Sequence, residues 1–427
     1  MRKSALSSKG LKILHIDLTK TYGGEFKNKH FNENKSFILN DQPSVIISNK
    51  YDKLNQLNLV LKSKIYNYLQ FKLIDNYLYF NDSKKSFEFI PKSKQEIFNS
   101  QSFSLVDKRF LIKFFQFQFD VNENDKIKNF NFNLNRELLN SIFYSIGNSN
   151  NDDDTLSNSI TSIKEFSTSF GTYGHSSHIF AQFGGTSDII QGYCRSSAVN
   201  GSTFMLDKKI ESLFKSNDKF NLKLNEFDEP FTSKHLIVNP INLPEDFYNI
   251  NKITSNLEYN LARLTLIIKG NPSIDPLPES PLITFPPNSF GDDGLSNTVN
   301  VLWQNDSAGI CPPNHHIIYF VSLLPDYENR KPEVYFEPYI KSIINDESEI
   351  IHKNGYIEPI IKYNYRQDTL VDNLHLIPNH LLNSNAFFTQ RSENCCVYAQ
   401  QVYNEFFNDE EIFSNGNNTN NELYESD

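Results

Sequence analysis

The sequence predicts an α/β protein in which a small all-α domain interrupts a larger domain of mixed sheets. Three observations lead to this prediction. An apolar run that ends in an acid, at residues 11–17, is typical of a β-strand. Apolar residues recur every three or four positions from residue 93 to about residue 171, which is the spacing of helices. Apolar runs of strand length return after residue 201.

Residues 173–206 carry the most informative local pattern. A glycine-punctuated loop leads into a predicted short helix from about residue 191 to 200, and an apolar strand follows Gly201. Small residues at the helix end suit close packing of a helix on a sheet. Asp188 and Arg195 lie two helical turns apart, so they share a face if the helix begins early enough. Taken alone, the pair is interpreted as a solvated ion pair.

The first residues match part of a dinucleotide-binding unit. In that unit a strand, a Gly-rich turn and a helix precede a second strand, whose terminal acid reaches a ribose hydroxyl. Residues 1–10 are expected to be the crossover helix, and residues 11–17 (LKILHID) the second strand with Asp17 as its acid. The first strand and its G-x-G-x-x-G are not in the sequence, so the chain is expected to start within the motif and to bind no adenine dinucleotide and no other cofactor. Tyr22 follows on a tight turn with two glycines (TYGG).

The segments outside the helical section are mostly predicted strands. Residues 56–71 have mixed helical spacing and lead into a predicted hairpin. The predicted strands are 77–80, 87–90, 234–238, 264–268, 298–303 and 316–323. Residues 272–287 are rich in proline and are expected to form an extended loop.

The section from residue 93 to 171 predicts three helices. Ser104 and Asp107 are placed as a capping box for the first helix. The acids of the loop 148–154 (NSNNDDD) are expected to favour the start of the third helix. The apolar positions of the three stripes are Phe103, Val106, Phe110, Phe114, Phe117, Leu138, Leu139, Ile142, Phe143, Ile146, Leu156, Ile160, Ile163, Phe166 and Phe170. These stripes indicate core packing; the alternative is a helical sheath that opens around an apolar ligand.

These patterns divide the chain into four parts. Residues 1–90 and 172–405 are the two parts of the large domain, and residues 91–171 are the helical domain. Residues 406–427 are acidic and rich in Asn, without periodicity, and are expected to be a disordered tail.

Composition excludes several classes of function. The net charge of −10 and the pI near 5.5 argue against a nucleic-acid partner or an anionic membrane surface. Cys194, Cys311, Cys395 and Cys396 are too few and too irregular for a disulfide framework or a zinc site, and are interpreted as buried thiols. No apolar run reaches the roughly 20 residues of a membrane span. The expectation is a soluble cytoplasmic protein.

Several motifs in the right order resemble the Rab escort proteins and their relatives, the Rab GDP-dissociation inhibitors. These motifs are LKILHID with TYGG near the start, the third predicted helix (TLSNSITSIKEFSTSFGTYG), QGYCR and GSTFML. The resemblance covers residues 11–24 and 70–270 well. It implies a large domain related to FAD-dependent monooxygenases, without a bound flavin, and a small helical domain.

The resemblance also implies partners and site residues. Family members use the large domain as a platform for GDP-bound Rab GTPases, and the positions that match are Tyr22, Asp188 and Arg195. Asp188 stands where the family usually has Glu, and Ile190 stands where Pro is usual. The helical domain of the family shelters geranylgeranyl groups. Candidate lipid-pocket residues in this chain are Phe110, Phe114 and Phe166.

Escort proteins and inhibitors differ within the helical section. Escort proteins carry a Phe and an Arg that dock onto the α subunit of Rab geranylgeranyltransferase, and the matching residues in EIFNSQSFSLVDKR are Phe98 and Arg109. Inhibitors have an aliphatic residue at the Phe position, so Phe98 favours a non-catalytic escort protein. The alternatives are ordinary core packing of Phe98, a GDP-dissociation inhibitor that recycles prenylated Rabs, and, from a different class, a flavin oxidoreductase suggested by Asp17.

Overall fold

A computed structural model gives the structure of the chain. It describes residues 1–22, 28–31, 37–40, 43, 45–47, 55–74, 76–101, 103–117, 125–130, 132–250, 253–270, 272–274, 278–324, 331–364, 371–377, 390–407 and 412–413.

The helices in these ranges are α1 (Arg2–Ser8), α2 (Gln56–Lys62), α3 (Lys94–Asn99), α4 (Leu105–Phe115), α5 (Arg136–Ser145), α6 (Leu156–Ser169), α7 (Thr186–Val199), α8 (Glu245–Ile250), α9 (Pro332–Tyr335), α10 (Glu337–Ile343) and α11 (Gln390–Phe407). The strands are β1 (Leu14–Ile16), β2 (Asn28–Phe31), β3 (Phe37–Asn40), β4 (Ile46–Ile47), β5 (Phe71–Leu73), β6 (Tyr77–Asn81), β7 (Ser86–Phe89), β8 (His178–Ala181), β9 (Thr203–Met205), β10 (Ile210–Ser216), β11 (Lys219–Leu224), β12 (Phe231–Ser233), β13 (Leu236–Val238), β14 (Thr254–Lys269), β15 (Leu282–Phe285), β16 (Val299–Asn305), β17 (His315–Leu324), β18 (Glu349–Asn364) and β19 (Leu374–Leu376). A short 3₁₀ helix, Ile65–Tyr68, follows α2.

A mixed sheet of seven strands, in the order β18-β14-β17-β16-β15-β6-β7, is the largest layer of the described chain. Only the β15–β6 pair in this sheet is parallel. Alternate residues of β17 enter two different cores: Ile317 and Val321 pack in one, and Ile318 and Phe320 in the other. Because successive side chains of a strand point to opposite faces, a central strand covered on both sides reads as a continuous apolar run.

The smaller sheets carry the elements that build the functional surface. β1 pairs in parallel with β9, which joins the start of the chain to the strand after α7. β8 lies between β4 and β5 in an antiparallel sheet. β10, β11 and β12 form a meander, β13 pairs in parallel with β19, and β2 pairs with β3. The predicted α/β fold with mixed sheets is confirmed.

The three predicted helices of the section from residue 93 to 171 are α4, α5 and α6, and α3 precedes them. Ser104 caps α4 as predicted, because its hydroxyl accepts a hydrogen bond from the Asp107 amide. The second bond differs from that of a capping box, since the Asp107 carboxylate accepts from the Ser104 hydroxyl. Leu139, Ile142 and Ile163 are buried in a core that continues into the large sheet, and α5 contacts β6 and β15. The helical section therefore packs directly onto the sheet.

Two predicted boundaries are wrong. The helix predicted from residue 191 begins five residues earlier, at Thr186, because Gly185 adopts a left-handed φ of 57° that turns the chain sharply into α7. The predicted loop 272–287 contains β15, an internal strand of the large sheet. Its prolines flank the strand rather than interrupt it, so β15 keeps its ladder hydrogen bonds.

The Asn- and Asp-rich loop 148–154 is built differently from the expectation. The first turn of α6 contains no acid. Instead, the Asp152 carboxylate accepts hydrogen bonds from Tyr144 and Arg136, and Asp154 accepts one from the Asn150 amide. Composition alone gave no sign of this hydrogen-bonded structure, since the same residues are typical of exposed loops.

The predicted tail, residues 406–427, lies outside the described residues except for the last two residues of α11 and positions 412 and 413. Ile412 is fully buried, and its amide donates a hydrogen bond to Gln400 of α11. The Phe413 ring stacks on Tyr193 of α7. At these two positions the chain packs onto the fold, contrary to the prediction.

The cysteine prediction can be checked at three of the four positions. Cys194, Cys311 and Cys396 are buried, as predicted. The side chain of Cys395 lies outside the described part.

A buried histidine links the helical section to the large domain. The Nδ1 atom of His178 lies 2.6 Å from the Tyr77 hydroxyl of β6, and the Ser177 hydroxyl donates a hydrogen bond to the Phe166 carbonyl of α6. Burial lowers the pKa of His178 from 6.5 to about 3. The folded protein therefore holds this imidazole neutral well below the pH at which the unfolded chain protonates it.

We predict an acid-sensitive stability that depends on His178. Because the pKa of His178 is lowered in the folded protein, its contribution to stability is complete above pH 6.5 and is lost as the pH falls toward 3. The loss amounts to about 2 kcal/mol by pH 5. The variant His178→Gln should therefore lose less free energy of unfolding between pH 7 and pH 5 than the wild type does. Urea denaturation at both pH values measures this difference. The exposed His175 offers the control His175→Gln, which should keep the wild-type pH dependence; equal slopes for the three proteins would contradict the prediction.

Candidate functional site

Helix α7 presents one exposed stripe to solvent. Asp188, Gln191, Arg195 and Val199 follow one another at intervals of three or four residues, so they lie on one face. The opposite face is buried through residues such as Ile189 and Tyr193. Asp188 and Arg195 therefore share one face of α7, as predicted, because the helix begins early enough to include both.

The stripe forms one wall of a groove of about 430 Å³. Residues of the 3₁₀ helix, the turn after β1 and the strand β9 complete it. The lining residues are Tyr22, Tyr68, Asp188, Gln191, Gly192, Cys194, Arg195, Ala198 and Phe204. The structure therefore brings together the three predicted platform residues, Tyr22, Asp188 and Arg195, from distant parts of the chain.

Close packing at a glycine sets the shape of this groove. A Cβ atom at Gly192 would lie 3.4 Å from Cβ of Ile65, so the 3₁₀ helix Ile65–Tyr68 lies directly against α7. A methyl group at position 192 would make an ordinary van der Waals contact with Ile65, and a longer side chain would have to displace it. This contact places the Tyr68 ring beside the exposed stripe.

Arg195 makes an aromatic contact rather than the predicted ion pair. Its guanidinium carbon lies 4.4 Å from the centroid of the Tyr68 ring. Within the described part of the chain, no carboxylate lies within ion-pair distance of Arg195. The interpretation of Asp188 and Arg195 as a solvated ion pair is therefore wrong.

Asp188 is directed toward the start of its own helix. Its carboxylate accepts a hydrogen bond of 2.9 Å from the Gly184 amide, which is buried just before α7. This bond satisfies the buried N–H of Gly184, the residue before the N-cap Gly185. Half-burial raises the pKa of the Asp188 carboxyl above its ordinary value, against the smaller lowering effect of the Gly184 amide.

Tyr22 closes the groove from the side of β9. Its ring meets the Phe204 ring edge-on, with 5.7 Å between the centroids, and Lys3 of α1 lies over the Phe204 ring. The Gly23–Gly24 part of the predicted turn lies outside the described residues. Asp17, predicted as an acid for a ribose, accepts hydrogen bonds from the amide and hydroxyl of Thr19. This carboxylate is used within its own turn, and its surroundings give no support for a dinucleotide.

Sequence reasoning missed six of the nine lining residues, among them Tyr68, Gln191 and Phe204. Gln191 could have been found from the helical spacing between Asp188 and Arg195. Tyr68 and Phe204 could not, because contacts between the 3₁₀ helix, α7 and β9 leave no periodic signal in the sequence.

A second exposed surface lies on α3 and α4. Phe98 is 62% exposed, Leu105 is 86% exposed and Val106 is 61% exposed, and Arg109 is exposed on the same face of α4. The Lys108 ammonium donates a hydrogen bond to the Phe98 carbonyl and so holds the end of α3 against α4. Core packing of Phe98, the alternative interpretation, is therefore wrong. We call these four residues the α3–α4 face: Phe98, Leu105, Val106 and Arg109.

The three candidate lipid-pocket residues are not equivalent. Phe114 and Phe166 are fully buried, and Phe110 is partly exposed, with its ring edge-on to Phe132. Phe166 packs against Tyr77 of the large sheet. Phe114 is surrounded by other phenylalanine rings, including those of Phe130, Phe132 and Phe143.

A metal site and a membrane span are two further possibilities. Across the described ranges, no three His, Cys, Asp or Glu side chains are grouped in a way that could hold a metal ion. Among the helices that the structure describes, none combines the length and the apolar character that crossing a bilayer requires.

Comparison with known proteins identifies the family. Residues 3–259 match the family described as GDP dissociation inhibitor. This match covers more than half of the chain, which therefore belongs to that family. The resemblance found in the sequence motifs is confirmed.

Individual relatives fall into two groups. The chain is 27% identical to Rab proteins geranylgeranyltransferase component A of Candida albicans, over 82% of this chain and 61% of that protein. It is 26% identical to the protein of the same name in Saccharomyces cerevisiae, over 67% of this chain and 48% of that protein. It is 22% identical to the Rab GDP-dissociation inhibitor of Saccharomyces cerevisiae, over 87% of this chain and 85% of that protein. The chain thus spans only about half to three fifths of the length of the two component A proteins.

The fold has solved counterparts. The Rab GDI of Plasmodium falciparum superimposes with a TM-score of 0.71 at 19% identity, over 95% of both chains. A putative protoporphyrinogen oxidase from Exiguobacterium superimposes with a TM-score of 0.55 at 9% identity, also over 95% of both chains. At these identities the likeness concerns the fold alone.

The hydrogen bond from Gly184 predicts a structural role for Asp188. The variant Asp188→Ala leaves a buried amide without its acceptor, so the free energy of unfolding should fall by about 1–2 kcal/mol. Chemical denaturation measures this loss. Gln191→Ala, on the same exposed stripe, is the matched control and should change stability by less than about 0.5 kcal/mol. Equal stability of the two variants would refute this structural role of the Asp188 carboxylate.

Proposed function

We propose that this chain is the GTPase-binding part of a Rab escort protein. In this proposal it captures a GDP-bound, unprenylated Rab GTPase, presents it to Rab geranylgeranyltransferase and accompanies the prenylated product through the cytosol to a membrane. The chain itself catalyses no reaction. The observation that carries the proposal is the exposure of the α3–α4 face, which gives the chain a second binding surface besides the groove on α7.

The groove on α7 is the proposed Rab site. Arg195 is exposed, and the ring of Tyr68 occupies only one face of its guanidinium, so its N–H groups remain available to a partner. A guanidinium with free donors forms strong, directional hydrogen bonds to carboxylates and carbonyls. Tyr22 and Phe204 add aromatic surface beside it. Asp188 supports this site through the helix start.

The α3–α4 face is the proposed contact with the α subunit of the transferase. An exposed Phe beside two exposed aliphatic residues and an Arg is the kind of cluster that contributes most binding energy in protein interfaces. The segment from residue 94 to 115 carries four basic and two acidic side chains, in a chain whose net charge is −10. This local positive charge favours an acidic partner surface.

We further propose that residues 91–171 shelter the geranylgeranyl group. The lipid has about 20 carbons, and exposing each buried CH₂ to water costs about 0.8 kcal/mol, so a soluble carrier must enclose it. The phenylalanine rings around Phe114 form an apolar interior of suitable chemistry, and Phe110 lies at its partly exposed edge. Because Phe114 and Phe166 are fully packed, α4 must move away from α5 and α6 to admit a lipid.

A Rab GDP-dissociation inhibitor is the second candidate. The similarity to the inhibitor of Saccharomyces cerevisiae extends over 85% of that protein, which favours an inhibitor function. Both candidates use the groove on α7. They differ in whether the α3–α4 face binds the transferase.

Two arginines should separate the two binding surfaces. Arg195→Ala removes a charged hydrogen-bond donor from the groove, so affinity for a GDP-loaded Rab should fall by about 1–3 kcal/mol. Arg109→Ala, an equally drastic change on α4, should leave Rab affinity unchanged and weaken transferase binding. Calorimetry with a panel of Saccharomyces cerevisiae Rab GTPases, and with the transferase of that organism, measures both effects. If Arg195→Ala binds Rab as well as the wild type does, the groove is not the Rab site.

Phe98 should decide between escort protein and inhibitor. The protein should stimulate prenylation of a Rab by the transferase, and Phe98→Ala should abolish most of that stimulation, since truncating an interface anchor costs about 2 kcal/mol or more. Phe214→Ala is the matched control, because Phe214 is 51% exposed on β10, outside the proposed interface. Stimulation that survives in Phe98→Ala, or that is absent from the wild type while Rab binding persists, would favour the inhibitor.

A further inference from the structure

Tyr68 occupies an unusual position at the edge of the groove. It ends the 3₁₀ helix Ile65–Tyr68, which Lys64 enters with a left-handed φ of 58°. Its ring is 45% exposed, although the helix that carries it is fixed against α7 at Gly192. A large aromatic side chain is thus held against α7 and yet remains partly exposed beside Arg195.

The contact between Tyr68 and Arg195 leaves the guanidinium able to bind. The ring faces the guanidinium, with 4.4 Å from its centroid to the guanidinium carbon. Cations are attracted to the face of an aromatic ring, so the Arg195 guanidinium is held here without an oxygen acceptor on its N–H donors. An ion pair with a carboxylate would orient the side chain equally well, but it would occupy the donors that a partner needs.

No carboxylate among the described residues competes with Tyr68 for the Arg195 guanidinium. Asp188, the acid on the same stripe, bonds to the Gly184 amide instead. In the part of the chain that the structure covers, Arg195 has no carboxylate partner. A free arginine side chain loses substantial rotamer entropy when a partner fixes it, so a ring that fixes it beforehand strengthens binding.

We propose that Tyr68 is the positioning residue of the groove: it holds the Arg195 guanidinium in place, with its hydrogen-bond donors directed toward the bound GTPase. This inference rests on the proposed binding of Rab GTPases in the groove. Tyr68 acts through Arg195, so its substitution matters only while Arg195 is present.

A double-mutant cycle tests this dependence. The affinity for a GDP-loaded Rab GTPase of Saccharomyces cerevisiae is measured for the wild type, Tyr68→Leu, Arg195→Ala and the double variant. We expect Tyr68→Leu to weaken binding about three- to tenfold in the wild-type background and to have no further effect in the Arg195→Ala background. Tyr68→Phe keeps the ring and should bind within about twofold of the wild type.

The neighbouring Tyr66 supplies the control. It is 43% exposed on the same 3₁₀ helix but does not line the groove, so Tyr66→Leu should leave affinity unchanged. Thermal melting of each variant identifies any loss of folding. If Tyr68→Leu weakens binding equally with and without Arg195, Tyr68 acts independently and the positioning role is refuted. If Arg195→Ala weakens binding and Tyr68→Leu does not, only the positioning role fails; if neither does, the proposed Rab site fails with it.

Discussion

Close packing around α7 through small side chains is the constraint on which both the fold and the groove depend. The Ser4 hydroxyl of α1 donates a 2.7 Å hydrogen bond to the Ser196 hydroxyl, and the Ser7 hydroxyl donates a longer one to Ser197. On another side, Gly192 allows the 3₁₀ helix to reach α7. Because α7 is held from several sides, its one remaining face is presented to solvent in a fixed orientation.

A buried connection joins the groove to the helical section. α6 ends beside β8, and α7 follows β8 after a short turn. The bonds of Ser177 and His178 fasten β8 to α6 and to the large sheet. The groove and the α3–α4 face rest on two neighbouring cores that β8 joins, because Ile179 packs with α7 and Phe180 packs with the helical section. A partner bound at either surface thus meets a scaffold of defined geometry.

The sequence predicts much of this arrangement, for physical reasons that vary with the element. The order of strands and helices follows from apolar spacing, and the helix cap at Ser104 is local enough to be read directly. β15 was missed because proline suggests a loop, and only the partner strands reveal that its prolines lie outside the ladder. The environment of Arg195 was also missed. Whether a guanidinium meets an acid or a ring is decided by contacts between segments more than a hundred residues apart.

The contacts on the back of α7 have a consequence for folding. Phe413 stacks on Tyr193, and Ile412 is fixed to α11 by a hydrogen bond to Gln400. α11 in turn packs on α1 and α2 at the other end of the chain. During synthesis, the residues that back α7 emerge more than two hundred residues after α7 itself, and contacts of such long sequence separation form late. A nascent chain that has made α7 thus still lacks part of the support behind its groove, and that support is completed only after Phe413 has been made.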